Sequence, residues 1–279
     1  MTEEKSIFRC PVCHGELHTS GKSLCCINGH TYDVAREGYV NLLLANQKAS
    51  KEPGDSPDML RARRRFLTAG YYSRLAETVA DRITEHLNAT GRNAIILDAG
   101  CGEGYYTEFI CRVPAINASS TICGIDISRE GIKLAARRRS GIQWGVAGVH
   151  LIPLPDSSVD IILNIFAPHD ADEFSRIIRD DGIFISVIPG PEHLLGLKEE
   201  LYETVTLHDA GPPEIKGFRI ESIGDLKYEF TVSWPQMKSD LLQMTPYYWK
   251  TKPGRIKALE KSPTPLTTIA HFTITVYRK

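Results

Sequence analysis

The sequence predicts an α/β protein with a mostly parallel sheet, an antiparallel strand at one edge and a small metal-binding module at its N-terminus. Short apolar runs alternate with helical patterns between residues 95 and 188, as strands joined by crossover helices do. Four of the seven cysteines fall in the first 26 residues, and where thiols stay reduced such clustering favours a metal over disulfides. Apolar content of 42% and charged content of 24% suit a chain that buries an ordinary core.

Residues 1–37 are rich in cysteine, short of apolar runs and loop-like, so this segment needs a staple. Cys10-x-x-Cys13 is followed by Cys26 and His30. Zinc takes four such ligands at the corners of a tetrahedron, and a full set leaves no open position for catalysis. Cys25 is the alternative to Cys26, but the three-residue spacing to His30 favours Cys26; His14 and His18 read as surface histidines.

Residues 38–72 read as a linker and a basic helix. An apolar patch from Tyr39 to Ala45 runs into the turn-forming KASKEPGDSPD. A helix is expected from about Pro57 to Leu67, with Pro57 at its first position and Asp55 or Ser56 as its cap; Asp55 is favoured for that role. Residues 73–279 read as the main domain. It opens with a helix over 73–87, where Leu75, Val79, Ile83 and Leu87 recur every four residues. Strands are expected at 95–99, 122–127, 159–165 and 182–188, with a helix at 128–139. Two late strands, 226–232 and 271–277, flank a helix near 239–243 and suit an antiparallel edge.

The N-terminus shows no secretory pattern, and no run reaches the roughly 18 apolar residues a membrane span needs, so a cytoplasmic protein is expected. Net charge is −1, so nucleic-acid binding would have to come from local basic patches.

The strongest chemical signal is Leu97-Asp98-Ala99-Gly100-Cys101-Gly102-Glu103-Gly104, which follows a predicted strand and opens a predicted helix. Glycines there let the backbone turn sharply and approach a ligand closely. The spacing departs from the dinucleotide fingerprint, and no lysine follows to make a P-loop. Asp98 beside the loop would repel a pyrophosphate but suits a ligand bearing an ammonium and a sulfonium, such as S-adenosylmethionine (SAM). Asp126 ends the next strand, placed to accept hydrogen bonds from ribose hydroxyls. Together these residues resemble the class I SAM-methyltransferase motif, with its Rossmann-like sheet. PLPDSSVD leading into IILNIFAP resembles the approach to the fourth strand of that fold, which puts Asn164 at the ligand-binding edge.

Over nearly the whole chain the sequence resembles the bacterial 23S rRNA (guanine-N1)-methyltransferases of the RlmA type. The segments that carry the resemblance are CPVC, the C-x3-H before TYDVAREGYVNLL, PGDSPDMLRARRRFL, LDAGCGEGYYT, PGPEHLLGLKE and LLQMTPYYWK. It implies a zinc-ribbon-like module for RNA recognition with Cys10, Cys13, Cys26 and His30 as zinc ligands. It implies a class I catalytic domain with cofactor contacts at Tyr72, Gly102, Glu103 and His193. It also implies a guanine in a domain II hairpin of 23S rRNA as target, and a homodimer. Asn164 and His169 stand where the family varies, so neither is assigned to catalysis.

Guanine N1 must lose its proton for methylation, so a positioned base would help. Asp55, Glu192 and His193 are the candidates, because their loops border the expected cleft, and the catalytic residue is otherwise unassigned. Arg61, Arg63, Arg64 and Arg65 form one candidate RNA-binding cluster and Arg137, Arg138 and Arg139 a second. Tyr247, Tyr248 and Trp249 could stack an extruded base or pack internally. Two other readings are a methyltransferase acting on tRNA or a small molecule, and a non-catalytic zinc- and RNA-binding protein on a methyltransferase scaffold. A zinc module is superfluous for a small substrate, and the intact glycine loop argues against a dead scaffold.

Overall fold

The cysteine-rich segment is a sheet, not the loop its sequence suggests. The computed structural model describes residues 5–47, 54–138, 141–207 and 211–279. Within the first of these, strands β1 (Lys5–Arg9), β2 (Glu16–Ser20), β3 (Ser23–Cys25) and β4 (Thr31–Asp33) pair antiparallel in that order. Strands of three to five residues are too short to show a clear period of two; each of the first three contributes one buried residue, Phe8, Leu17 and Leu24.

The chain continues through β5 (Tyr39–Asn41), α1 (Pro57–Thr68) and α2 (Ser73–Thr90). Next come β6 (Ala94–Ala99), α3 (Tyr105–Arg112), α4 (Pro114–Ala118), β7 (Ser120–Asp126), α5 (Arg129–Ala136) and β8 (Gln143–Val146). After them follow β9 (Val159–Ile165), α6 (Ala171–Ile177), β10 (Ile178–Pro189) and α7 (Leu195–Leu201). The chain ends with β11 (Arg219–Val232), α8 (Pro235–Gln243), α9 (Tyr247–Lys250), α10 (Pro253–Lys261) and β12 (Leu266–Arg278).

The larger sheet has the order β11-β12-β10-β9-β6-β7-β8-β5. β12 runs antiparallel to both β10 and β11, and the remaining pairs are parallel. Tyr39–Asn41, which the sequence places in a linker, is the parallel edge strand beside β8, and burial of Tyr39 and Val40 secures it there. Residues 48–53 of that expected linker lie outside the described residues. No helix among the described residues is long and apolar enough to cross a membrane.

Local chemistry sets the helix ends. Ser56, not Asp55, caps α1: its hydroxyl accepts from the Met59 N–H at 3.3 Å, with Pro57 next in the chain. Ser128 caps α5 by accepting from the Gly131 N–H, so this helix begins one residue later than expected. Gly91 closes α2 in the left-handed conformation, four residues beyond Leu87, the last member of the apolar repeat.

Alternate residues of the central strands supply two cores. Ile96, Ile122, Ile161 and Leu163 pack with Leu75, Val79, Ile83 and Leu87 of α2 on one face. Leu97, Cys123, Ile125 and Ile162 face the other way, where Phe8, Leu17 and Leu24 of the small sheet join them, as do Phe174 and Ile177 of α6. A parallel sheet needs both faces covered. Over β6 to β8 the small N-terminal sheet supplies cover that a helix would otherwise provide. Polar contacts reinforce it: the Arg9 N–H donates to the Pro153 carbonyl at 2.9 Å, and the Ile7 N–H donates to Gln143 Oε1 at 3.2 Å.

Because the cores are continuous, Phe8→Ala should destabilise the whole chain by about 3 kcal/mol or more. Chemical denaturation followed by tryptophan fluorescence should show one transition at lower denaturant. Loss of the N-terminal sheet alone, with the main transition unmoved, would contradict a shared core.

Candidate functional site

Four N-terminal side chains converge. The ligand atoms of Cys10, Cys13, Cys26 and His30 all lie within 4.8 Å of one another. Cys13 Sγ is 3.6 Å from Cys26 Sγ, and His30 Nδ1 is 3.3 Å from Cys26 Sγ and 3.6 Å from Cys10 Sγ. A tetrahedral Zn2+ with bonds of about 2.3 Å has ligand–ligand edges of about 3.8 Å, so these spacings fit the ion closely. Tyr32 Oη lies 3.1 Å from Cys10 Sγ, placed to donate to a thiolate and fix it. Cys25 stands apart, its sulfur beside Thr31 Oγ1.

The second constellation lies at the carboxyl edge of the large sheet. Gly100, Gly102 and Gly104 all adopt positive φ. A Cβ at Gly100 would fall 2.4 Å from Ala167 Cβ, so only glycine lets the turn after β6 meet the turn after β9. Asp126, at the end of β7, ties the glycine turn down. Its Oδ2 accepts from the Gly102 N–H at 2.9 Å and its Oδ1 from the Ser128 N–H at 2.7 Å. Burial pushes the Asp126 carboxyl up, and those two N–H groups oppose the shift. Asp98 is also buried. Burial, less the effect of the Thr107 hydroxyl that donates to it at 2.6 Å, pushes its carboxyl up to about 7.

These residues border a cavity of about 720 Å3, within the usual range for small-molecule sites. Asp55, Tyr72, Asp98, Gly100, Gly102 and Glu103 lie in its wall, as do Asp126 and His193. Two buried atoms of wall residues, Tyr106 Oη and Glu103 Oε1, have no hydrogen-bond partner among the described residues. Buried polar atoms are normally satisfied, so this wall is built for a polar ligand. A desolvated Asp98 held by a neutral hydroxyl is likewise suited to a cation. SAM therefore fits on three counts: a glycine cradle, a buried carboxylate for its positive charge and a second carboxylate for its ribose.

Gly104 and Asn164, expected as cofactor contacts, lie outside the cavity wall. A Cβ at Gly104 would meet Ala135 and Trp144, so that glycine serves helix packing. Asn164 Nδ2 donates to the carbonyls of Ala99 and Pro168, clamping the turns after β6 and β9 together. Of the candidate bases, Glu192 is ion-paired with Lys227 away from the wall. Asp55 pairs with Arg63 at 2.5 Å, and its neighbour Gly54 packs on Ser128 at the ribose side. His193 Nδ1 accepts from the His271 backbone N–H at 3.3 Å. Its Nε2 lies 3.4 Å from Tyr72 Oη, within hydrogen-bonding distance.

The arginines do not form one face. Arg61 is exposed beside Asp58, Arg63 reaches the cavity, Arg64 donates to the Leu134 carbonyl and Arg65 forks onto buried Asp240. Arg137 pairs with Glu37, Arg138 is buried against Glu103 and Glu108, and Arg139 lies outside the described residues. Tyr247 and Tyr248 are half-buried, whereas Trp249 is exposed, and both Tyr247 and Trp249 line the cavity. Tyr106 and Phe166 are among the wall residues that escaped sequence reasoning. Tyr106 stands two places after Gly104, a placement that could have flagged it. Phe166 holds a φ of +55°, a conformation that costs a bulky residue about 1 kcal/mol or more, and sequence offers no sign of it.

Residues 8–51 match the family model for the N-terminal region of RlmA, and residues 97–185 match a methyltransferase domain. The Bacillus subtilis protein named "Putative 23S rRNA (guanine-N(1)-)-methyltransferase YxjB" is 31% identical over 93% of both chains. The chain belongs to the RlmA-type 23S rRNA (guanine-N1)-methyltransferase family. A Micromonospora griseorubida member, carrying the same description without the final symbol, is 30% identical over 97% of each chain. The "23S rRNA (guanine(748)-N(1))-methyltransferase" of Streptomyces fradiae is 36% identical over 70% of this chain and 67% of its own. Family membership makes the large sheet a SAM-binding class I methyltransferase domain and the small one a zinc ribbon.

Asp98 gives this family member a pH signature. A cation beside the carboxylate favours its charged form, so SAM binding should release a proton and tighten as pH rises from about 6 to 8. Without ligand the raised carboxyl acts in the opposite sense. The folded state holds its proton to higher pH than the unfolded state, so stability falls as pH rises toward about 7. Calorimetry in buffers of different ionisation heat reads the proton directly; no release near pH 7 would exclude Asp98 as the cation's partner.

Proposed function

We propose that the chain transfers the methyl group of SAM to N1 of one guanine in a domain II hairpin of 23S rRNA, and that its ribbon holds one structural Zn2+. The observation that carries the first part is the pair of carboxylates at the ends of adjacent strands, buried Asp98 on β6 and half-buried Asp126 on β7, in a chain whose relatives are named for guanine N1. When bound, SAM supplies an activated methyl group on a sulfonium. The exchange of N1–H for N1–CH3 leaves S-adenosylhomocysteine and one proton.

The protein's own groups do the positioning. Each Asp126 oxygen takes one backbone N–H, which fixes the carboxylate and leaves lone pairs for ribose hydroxyls. Glycine at 100 and 102 lets the backbone meet the donor with no side chain between them. His193 and Tyr72, hydrogen-bonded to one another, stand in the wall as oriented polar groups. Holding donor and acceptor in near-attack geometry supplies much of the rate in such a displacement. Asp55 and His193 line the cavity and Glu192 does not, and no base is assigned among the three. Exposed Arg61 is the member of its cluster best placed for an RNA phosphate.

Incubation with SAM and 23S rRNA from a strain lacking the methyltransferase should restore one N1-methylguanine by mass spectrometry of nuclease fragments. Methylation of tRNA alone, or of no guanine in 23S rRNA, would overturn the proposal.

For the ribbon, Cys10→Ser should lower bound zinc from one equivalent toward none by metal analysis. It should also lower the thermal midpoint of the whole chain, because the ribbon shares its core. Full zinc retention would exclude Cys10 as a ligand.

A further inference from the structure

Asp98 and Asp126 orient the donor along the sheet edge. In the order β9-β6-β7-β8, the cation's partner ends β6 and the ribose's partner ends β7. The adenosine half therefore lies toward β7 and β8, and the methionine half toward β6. A methyl acceptor must approach from the far side of β6, over the end of β9. Phe166 is the first residue after β9.

Three features single it out. The residue is 43% exposed although it belongs to the cavity wall, and of the large hydrophobics exposed among the described residues only Phe166 and Trp249 line this cavity. Its backbone is held at positive φ, which asparagine or glycine would tolerate better than phenylalanine. The turn that carries it is anchored on both sides: Asn164 clamps it to Ala99 and Pro168, and Ala167 lies against Gly100 of the glycine turn. An unfavourable backbone held by two clamps, leaving an aromatic ring open in the cavity wall, is poorly explained by packing alone. The ring does have internal support: its centroid is 5.7 Å from that of Phe272 and 6.2 Å from that of His193. One face is thus backed by aromatic neighbours while much of the ring remains open.

We propose that Phe166 is the platform on which the target guanine stacks for methyl transfer, with Trp249 of α9, 68% exposed, as a second apolar wall. A base within a folded RNA must leave its stack to reach an enclosed donor, and aromatic rings replace the stacking it loses. Asn164 is then a positioning residue that acts through Phe166. The inference rests on the guanine-methyltransferase reading above.

The test separates fold from function. Phe166→Gly removes the ring and relaxes the left-handed backbone, so its thermal midpoint should equal or exceed that of wild type. SAM affinity by calorimetry should stay within about twofold. Single-turnover methylation of 23S rRNA should fall by about tenfold to a hundredfold, the scale of one base–aromatic stack. Phe166→Asn, which also tolerates positive φ, should behave as glycine does, and Phe166→Tyr should restore transfer to near the wild-type rate. Transfer by Phe166→Gly at the wild-type rate overturns the stacking role and leaves the function standing. Loss of SAM affinity in step with transfer also overturns it, because the ring would then serve the donor. If wild type itself methylates no guanine, the function falls and the stacking role falls with it.

Discussion

The site is organised by one carboxylate. Asp126 is the last residue of β7, and its two oxygens accept backbone N–H groups from the glycine turn and from the start of α5. Without that bridge the turn after β6 would be a run of glycines free to take many shapes, because glycine restricts the chain least. With it, Gly102 is pinned against the neighbouring strand, and Gly100 is left free of a side chain where Ala167 approaches. The carboxylate that would grip a donor's ribose is thus fixed by these two hydrogen bonds, and Asp98, which would meet its charge, by the Thr107 hydroxyl. The bridge is bought with desolvation, visible in the raised carboxyls of both Asp98 and Asp126. Buried charge without a cation is unfavourable, and a cationic ligand reverses the sign of that effect.

The clamp at Asn164 extends the same logic to the acceptor side. A single side-chain amide holds the carbonyls of Ala99 and Pro168, so the turns after β6 and β9 are tied together. Donor and acceptor surfaces are therefore joined through backbone rather than through flexible side chains, as near-attack geometry requires.

Much of this was legible in the residue order. The spacing of Leu75, Val79, Ile83 and Leu87 predicts α2, and the buried run 159–165 matches β9 to the residue. The glycine turn, Asp98, Asp126 and the convergence of Cys10, Cys13, Cys26 and His30 follow from motif and spacing. What stayed hidden depends on contacts distant in sequence. The strands of the ribbon are too short to show periodicity, and β5 is a strand only because β8 lies beside it. Arg65 looks like a surface cation until Asp240, far along the chain, is brought against it. Asn164 borders the ligand edge as expected, yet it grips backbone instead of lining the cavity. The left-handed turn at Phe166 has no local sequence mark, since nothing in N-I-F-A-P demands it.

The ribbon's place on the sheet limits how this family can be rearranged. An appended recognition module joined by a tether could be exchanged between enzymes at will. Here Phe8, Leu17 and Leu24 share one apolar interior with Leu97, Cys123 and Ile125. Excising the ribbon would bare that face to water, and grafting it onto another methyltransferase would require a matching apolar surface on the recipient. The ribbon and the catalytic scaffold of this chain are therefore two halves of a single hydrophobic seam.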